Sequence, residues 1–456
     1  VTSQCTVSER LVSFVRQVQK HGAPPPVLHE TKRLIINQLK ASVGALDAQP
    51  VKVLRDWALR TGAPLDGPRI IWFGDRVHPE QAVMVNAALF EVLDFHDTYI
   101  PCFMHAVSGV LPAAMAEAEI RHSNGAAFLN ALAIGIEVEL ACATLLLPSA
   151  YYRGFIAGAL TGAIGGATAC GILKGLSDVQ MRDALGLAMN CGLGQYQTAG
   201  SGGFAYLMGS AARNGFTAAD LAAAGLDAPA AAFEGDKGML SSYSDEPPEK
   251  IETVIAGLGR EWRIMGQSYK TVPTETITHG PIECALAMLD RSRGRTVERM
   301  RFGVEAIVVK IADERRGRFG APNSEYTAKF DLRHCVAAAW TRGQFTLDEM
   351  REAAYTDPAI LALRDRIELF HDPRHKTFDG CSLVVDYADG SSDEINLPAF
   401  KGAPANPMSD GELAGLFAAY ARPVLPAGRD DAILDAAWSL DRADDINPFI
   451  SLLSTL

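Results

Sequence analysis

Four proton-active side chains fall within one short stretch, Leu93-Asp94-Phe95-His96-Asp97-Thr98-Tyr99, and His105 follows close behind. The largely apolar run from Ala82 to Val92 leads straight into them. Burying carboxyl and imidazole groups is costly unless they are paired or used, so this stretch is the prime candidate for a site of acid-base chemistry. In isolation, Asp97 and Thr98 read more readily as caps of the following helix, with His96 a surface histidine. Features elsewhere in the chain decide between the two.

The elements that must position these residues are mostly helical. Apolar residues recur at helical spacing over 8–43, with a break at Gly22-Ala23-Pro24-Pro25-Pro26, which predicts two helices and a turn. A third helix is expected over 51–61, an extended connector over 69–73, and a helix opened by Pro79 that runs into the Asp94 stretch. Further helices are expected over 109–122, 125–147, 154–173, 178–191 and 205–223. Gly154, Gly158, Gly162 and Gly166 recur every four residues and predict one glycine face, along which a neighbouring backbone can approach closely. Glu137 and Glu139 stand two apart in an apolar helix, so at most one is expected to point inward and the other to be exposed.

Patterning changes after about residue 261. Val304 to Ala312 reads as a strand, and the runs 382–387 and 391–397 flank Asp389-Gly390, a hairpin signal. Helices are expected over 328–340 and 346–363. The fold class is therefore mostly α: a large all-helical domain over 1–266, completed by 402–456, and a smaller α+β domain over 267–401.

Composition narrows the function. A chain of 456 residues with 48% hydrophobic and 21% charged residues suits an ordinary globular protein of two domains. A net charge of -12 and the lack of a basic stripe argue against a nucleic-acid partner. The eight cysteines are scattered without a metal-ligand spacing and read as reduced thiols, which points to a cytoplasmic protein. The first twenty residues lack the apolar core of a signal peptide, and the uncharged run 155–173, rich in Gly, Ala and Thr, reads as a buried helix rather than a membrane span.

The L-D-F-H-D-T block at 93–98, with His105 and V-L-P-A at 110–113, resembles the MmgE/PrpD family. Three later blocks fit in order: G-S-A-A-R-N-G at 209–215, F-E-G-D-K-G at 233–238, and Y-K-T-V-P followed by T-H up to 279. The family includes 2-methylcitrate dehydratase, cis-aconitate decarboxylase and iminodisuccinate epimerase. The resemblance implies a helical domain, an α+β lid, a site in the cleft between them, a homodimer, and chemistry that needs neither metal nor organic cofactor. It implies proton abstraction beside a carboxylate, followed by elimination of water or carbon dioxide from a small carboxylic acid. Asp94, Thr98, His105 and Lys270 match the family's site positions. His105 would transfer the proton, Lys270 would bind a substrate carboxylate, Asp94 would orient or accept a proton, and Thr98 would donate a hydrogen bond. His279 matches a family histidine that serves the site or the fold equally well.

The chain departs from the family pattern elsewhere. Where the family reads G-[FW]-H-P-T, this chain has Gly154-Phe155-Ile156-Ala157-Gly158, so a histidine has become Ile156. Where it reads T-K-x-x-H, Phe204 and Leu207 stand instead, and His96 replaces a second acidic position. A lid tyrosine of the decarboxylases falls near His334. Fewer cations compensate fewer buried carboxylates, so the expected substrate is less charged than methylcitrate. Glu275, His334, Tyr151 and Tyr152 are candidate replacements for the lost groups, Glu275 more readily as an exposed loop residue. An epimerase with two opposed proton-transfer groups and a catalytically silent metabolite-binding homologue are the alternative functions.

Overall fold

The computed structural model describes residues 6–454 other than 63, 65, 193 and 293. Two compact units emerge, Val1–Gln267 together with Ser409–Leu456, and Ser268–Met408. The first is helical and the second mixes helices with one small sheet, the mostly α architecture expected from the patterning.

Helix starts in the first unit follow local chemistry. Thr6 caps the Val7–His21 helix in a reciprocal box with Glu9, and Pro25 and Pro79 open the helices Pro25–Gly44 and Pro79–Glu91. Ser177 and Gln180 cap Asp178–Met189 in the same way as Thr6 and Glu9, and Asn124 caps Gly125–Leu146. Between 69 and 76 the chain makes only an isolated bridge, Arg69 to Arg76, so the expected connector is a turn with a single pairing. The tail returns through Asp410–Ala421, which Ser409 and Glu412 cap, and packs on Pro25–Gly44.

At the centre, Ala157–Lys174 packs against Gly203–Ala223, Gly125–Leu146 and Ala106–Arg121. The glycine face exists, with one correction. Gly158, Gly162 and Gly166 lie on it, against Met208, Ala211 and Gly215, whereas Gly154 precedes the helix in a turn at φ +89°. The core beside it is built from small residues (Ala87, Ala113, Ala212, Ala219) around Phe216, and this smallness lets the helix axes draw together. Gly215 tests that packing. A Cβ there would sit 2.5 Å from the Ala163 carbonyl oxygen and 3.0 Å from Ala167 N, both backbone atoms with little room to yield. We expect Gly215→Ala to cost about 1–3 kcal/mol, read as a lower urea midpoint with an unchanged slope. An unchanged midpoint would mean that the helices separate freely.

Two expectations fail in instructive ways. Glu137 and Glu139 are both fully buried, because Gly125–Leu146 is covered on every side. That helix, rather than 155–173, is the one long and apolar enough to cross a membrane among the described residues; 89% of its apolar window is buried inside the fold. In the second unit, 304–312 is not a strand. Strand β1 is Val297–Val304, and Glu305 then caps a helix, Ala306–Phe319, its side chain accepting from Ile307 N at 2.7 Å.

The sheet of the second unit has the order β2-β1-β3-β4, with β2 at Ile367–His371, β3 at Cys381–Tyr387 and β4 at Ser392–Leu397. β1 runs parallel to β2 and antiparallel to β3, and β3 and β4 form the expected hairpin around Gly390, which has φ +82°. Helix His279–Ser292 covers β3 and β4.

Candidate active site

Helix Pro79–Glu91 ends just before the polar block, and two left-handed residues shape the loop after it. Asp94, at φ +53°, turns the chain while its N–H donates to the Glu91 carbonyl at 2.9 Å. Phe103, at φ +51°, closes a tight loop in which Tyr99 and Met104 exchange backbone hydrogen bonds of 2.8 and 3.2 Å. This loop returns His105, the residue before helix Ala106–Arg121, to the side of Asp94 and Thr98. Asp94, Thr98 and His105 are thus brought together by local chain geometry.

His105 Nδ1 lies 2.7 Å from the Asp97 carbonyl oxygen and 3.3 Å from Thr98 Oγ1. A carbonyl only accepts, so Nδ1 carries a proton, and in the neutral ring the lone pair is on Nε2. Nε2 faces Asp94 Oδ1 at 3.9 Å, too far for a hydrogen bond. The imidazole is half-buried, with 23% of its side chain exposed, while Asp94, His96, Asp97 and Thr98 are buried. His96 packs against His105 with ring centroids 4.3 Å apart. The Glu91 carboxylate lies 3.4 Å from His96 Nε2 and accepts a 2.6 Å hydrogen bond from Ser108. One ligand atom each from Asp94, His96 and His105 fall within 4.8 Å of one another, so these three could also hold a metal ion.

A second layer comes from distant segments, and the motifs gave no sign of it. Gln38 Nε2 donates to Asp97 Oδ1 at 2.7 Å, and Lys40, fully buried, donates to Asn37 Oδ1 at 2.8 Å with its ammonium 3.7 Å from the centre of the Phe95 ring. Beneath the block lies Glu139. Burial first, then the negative charges of Asp97 and Glu91, hold its carboxyl well above the usual carboxylate range, while the Thr161 hydroxyl at 3.5 Å works the other way. The surroundings of Glu139 therefore favour its neutral form. Glu139 had one advance signal, its place in an otherwise largely apolar helix, whereas Gln38 and Lys40 lie in a helix of mixed polarity that singles neither out.

The departures from the family pattern also lie in this unit. Ile156 precedes helix Ala157–Lys174, and its N–H donates to the Gly194 carbonyl at 2.9 Å; a Cβ on Gly194 would meet Leu207 at 3.3 Å. Ile156, Phe204 and Leu207 are each half-buried. Met104 lies beside Gly158, which places the start of that helix next to the His105 loop. Phe103, Tyr151 and Tyr196 form an aromatic chain with centroid separations of 6.1 and 5.5 Å, while Tyr152 is exposed.

The remaining sequence candidates belong to the second unit. Lys270 is fully buried. Glu275 is not the exposed loop residue expected: only 14% of its side chain is exposed, and it is ion-paired with Arg315. His279 opens its helix with Nδ1 3.1 Å from the Glu275 carbonyl. His334 is buried within Leu332–Arg342, donates through Nε2 to the Glu349 carbonyl at 2.9 Å, and is held neutral by burial, which lowers its pKa. That is a structural use of the ring. The seven cysteines among the described residues are free thiols, with Cys102 and Cys142 pushed up to about 12 by burial; Cys5 lies outside the described residues.

Comparison with known proteins agrees with the motif blocks. The MmgE/PrpD N-terminal domain model matches residues 9–252, and the MmgE/PrpD C-terminal domain model matches residues 272–442. The chain belongs to the MmgE/PrpD family. Among curated relatives it is 27% identical to a cis-aconitate decarboxylase of Aspergillus terreus, with 98% of this chain and 96% of that protein covered. It is 25% identical to the cis-aconitate decarboxylase of Mus musculus (83% and 79% covered) and 23% identical to that of Homo sapiens (98% and 94% covered).

Proposed function

We propose that this chain is a lyase of the MmgE/PrpD type, which uses no organic cofactor and removes water or carbon dioxide from a small carboxylic acid. The observation that carries this reading is His105: its Nδ1 proton is committed to the Asp97 carbonyl, and its Nε2 lies beside Asp94 on a ring that is only partly buried. A base so oriented takes a proton from the carbon next to a carboxylate, and the electron pair passes to that carboxylate as an enolate. In a dehydration, hydroxide then leaves from the neighbouring carbon. In a decarboxylation no proton is removed first: the carbon–carboxylate bond breaks, carbon dioxide departs, and His105 in its protonated form gives its proton to the resulting carbanion. Asp94 stabilises the charged imidazolium, Thr98 donates to substrate, and Lys270, on the strength of its motif, pairs with a substrate carboxylate.

Three positions that carry proton-active or cationic groups elsewhere in the family are Ile156, Phe204 and Leu207 here, and an aromatic chain lies beside Phe103 in the same loop as His105. Apolar walls leave an extra carboxylate uncompensated, so the substrate class is a mono- or dicarboxylic acid with an apolar body rather than a tricarboxylate. The test is a mass-spectrometric screen of purified protein against methylcitrate, citrate, cis-aconitate, malate analogues and less charged unsaturated acids. Release of water or carbon dioxide from the less charged acids, faster than from cis-aconitate, is the expected result. Turnover of the tricarboxylates alone would overturn the substrate class. Exchange of substrate hydrogen with solvent deuterium without elimination would replace the lyase by an isomerase.

A further inference from the structure

We propose that Asp94, His96 and His105 form a binding site for one borderline transition-metal ion of the Zn²⁺ class, and that its occupancy switches off proton transfer by His105. The second half of this proposal rests on the lyase reading; the first half does not.

Two imidazoles and one carboxylate suit Zn²⁺, Co²⁺ or Ni²⁺, whereas Mg²⁺ and Ca²⁺ select sites built from oxygen. Here one candidate ligand atom from each residue lies within 4.8 Å of the others. Metal–ligand bonds of about 2.0–2.2 Å put neighbouring ligand atoms roughly 3–3.5 Å apart, so the widest pair needs to close by up to about 1.5 Å. The two rings are already neighbours, with centroids 4.3 Å apart; two imidazoles on one tetrahedral ion set their centroids roughly 5 Å apart, so the rings must part slightly as their nitrogens converge.

The supporting groups are those a metal site requires. Ligating histidines donate their other ring N–H to a carbonyl or carboxylate, which fixes the ring and the tautomer. His105 donates Nδ1–H to the Asp97 carbonyl, and the Glu91 carboxylate, itself held by Ser108, lies against His96. Asp94 is locked in its left-handed turn by its hydrogen bond to Glu91. All three ligands sit on one loop anchored at both ends by core helices, and two of the three are buried. His105 is the one partly exposed ligand of the three, so an ion would enter from its side. An ion that takes the Nε2 lone pair of His105 removes the lone pair that would accept the substrate proton; no bond to substrate forms or breaks, and a chelator reverses the effect.

The experiment uses the full, untagged chain, stripped with EDTA and titrated with Co²⁺ alone. One equivalent of protein-bound Co²⁺, seen as visible d–d absorption, is expected, displaced by one equivalent of Zn²⁺ in calorimetry. Glu91→Gln, which touches no metal in this scheme, should weaken binding by about 10–100-fold, and His96→Gln by more, with both variants folded by circular dichroism. Absence of a saturable one-to-one Co²⁺ signal, or equal affinity in wild type and folded His96→Gln, overturns the site while leaving the lyase reading intact. Tight Zn²⁺ binding that leaves turnover undiminished overturns the inhibition and, with it, His105 as the base. Turnover that requires added Zn²⁺ overturns the inhibition and the role of His105 as the base together.

Discussion

His105→Ala should lower kcat on the true substrate by roughly 10²–10⁴-fold, the usual contribution of a positioned acid-base group. His105→Gln should lose nearly as much. Its amide can donate to the Asp97 carbonyl as Nδ1 does, which preserves the loop, yet it cannot take up a proton. The pair of variants separates chemistry from architecture: KM should move little and thermal stability should stay near wild type in His105→Gln, with the loss confined to kcat. The readout is initial rate together with solvent-deuterium incorporation next to the substrate carboxylate. If both variants turn over within a few-fold of wild type, or if no acid is turned over and wild type and His105→Ala show equal ligand-induced thermal shifts, His105 is not the base and the polar block serves the fold.

Much of this arrangement is visible in the sequence, and the parts that are not share a cause. Helical spacing and caps place the main helices of the first unit, because amphipathic periodicity and capping chemistry are local properties. Asp94, Thr98 and His105 are legible for the same reason: a few residues of loop, with left-handed turns at Asp94 and Phe103, bring them together. Gln38, Lys40 and Glu139 reach this neighbourhood from two other helices, and no spacing within one element announces such a meeting. The expectation that Glu137 and Glu139 cannot both be buried fails because it assumes a helix with a wet face. Gly125–Leu146 is apolar all round, and that pattern itself signals a helix buried on every side. The run V-E-A-I-V-V-K-I-A misleads by its β-branched residues: Glu305 provides a cap for a helix start, and that local hydrogen bond outweighs a weak strand propensity.

The two buried glutamates make the fold's stability fall as pH rises. Burial holds Glu137 up to about 7, against the opposing pull of Arg263 at 3.0 Å. Burial likewise holds Glu139 higher than an ordinary carboxyl, and there the negative charges of Asp97 and Glu91 add to the effect. In both, the folded pKa exceeds the unfolded value, so the folded chain keeps protons that the unfolded chain has released. Their stabilisation is complete below the unfolded pKa near 4.5 and is lost as pH climbs through the folded value, a slope opposite to that of a salt-bridged carboxylate. For Glu137 the change from 4.5 to about 7 corresponds to on the order of 3 kcal/mol. Glu139→Gln is the sharper test because glutamine mimics the neutral acid without its proton. We expect the variant to match wild type near pH 5 and to exceed it near pH 8, where wild type must either ionise a carboxyl packed against Gly109, Gly162 and Gly165 or hold its proton against the solvent. Calorimetric melting temperatures across that range decide the matter. A Glu139→Gln curve parallel to wild type would mean that Glu139 is ionised in the fold, paired with a charge supplied from elsewhere.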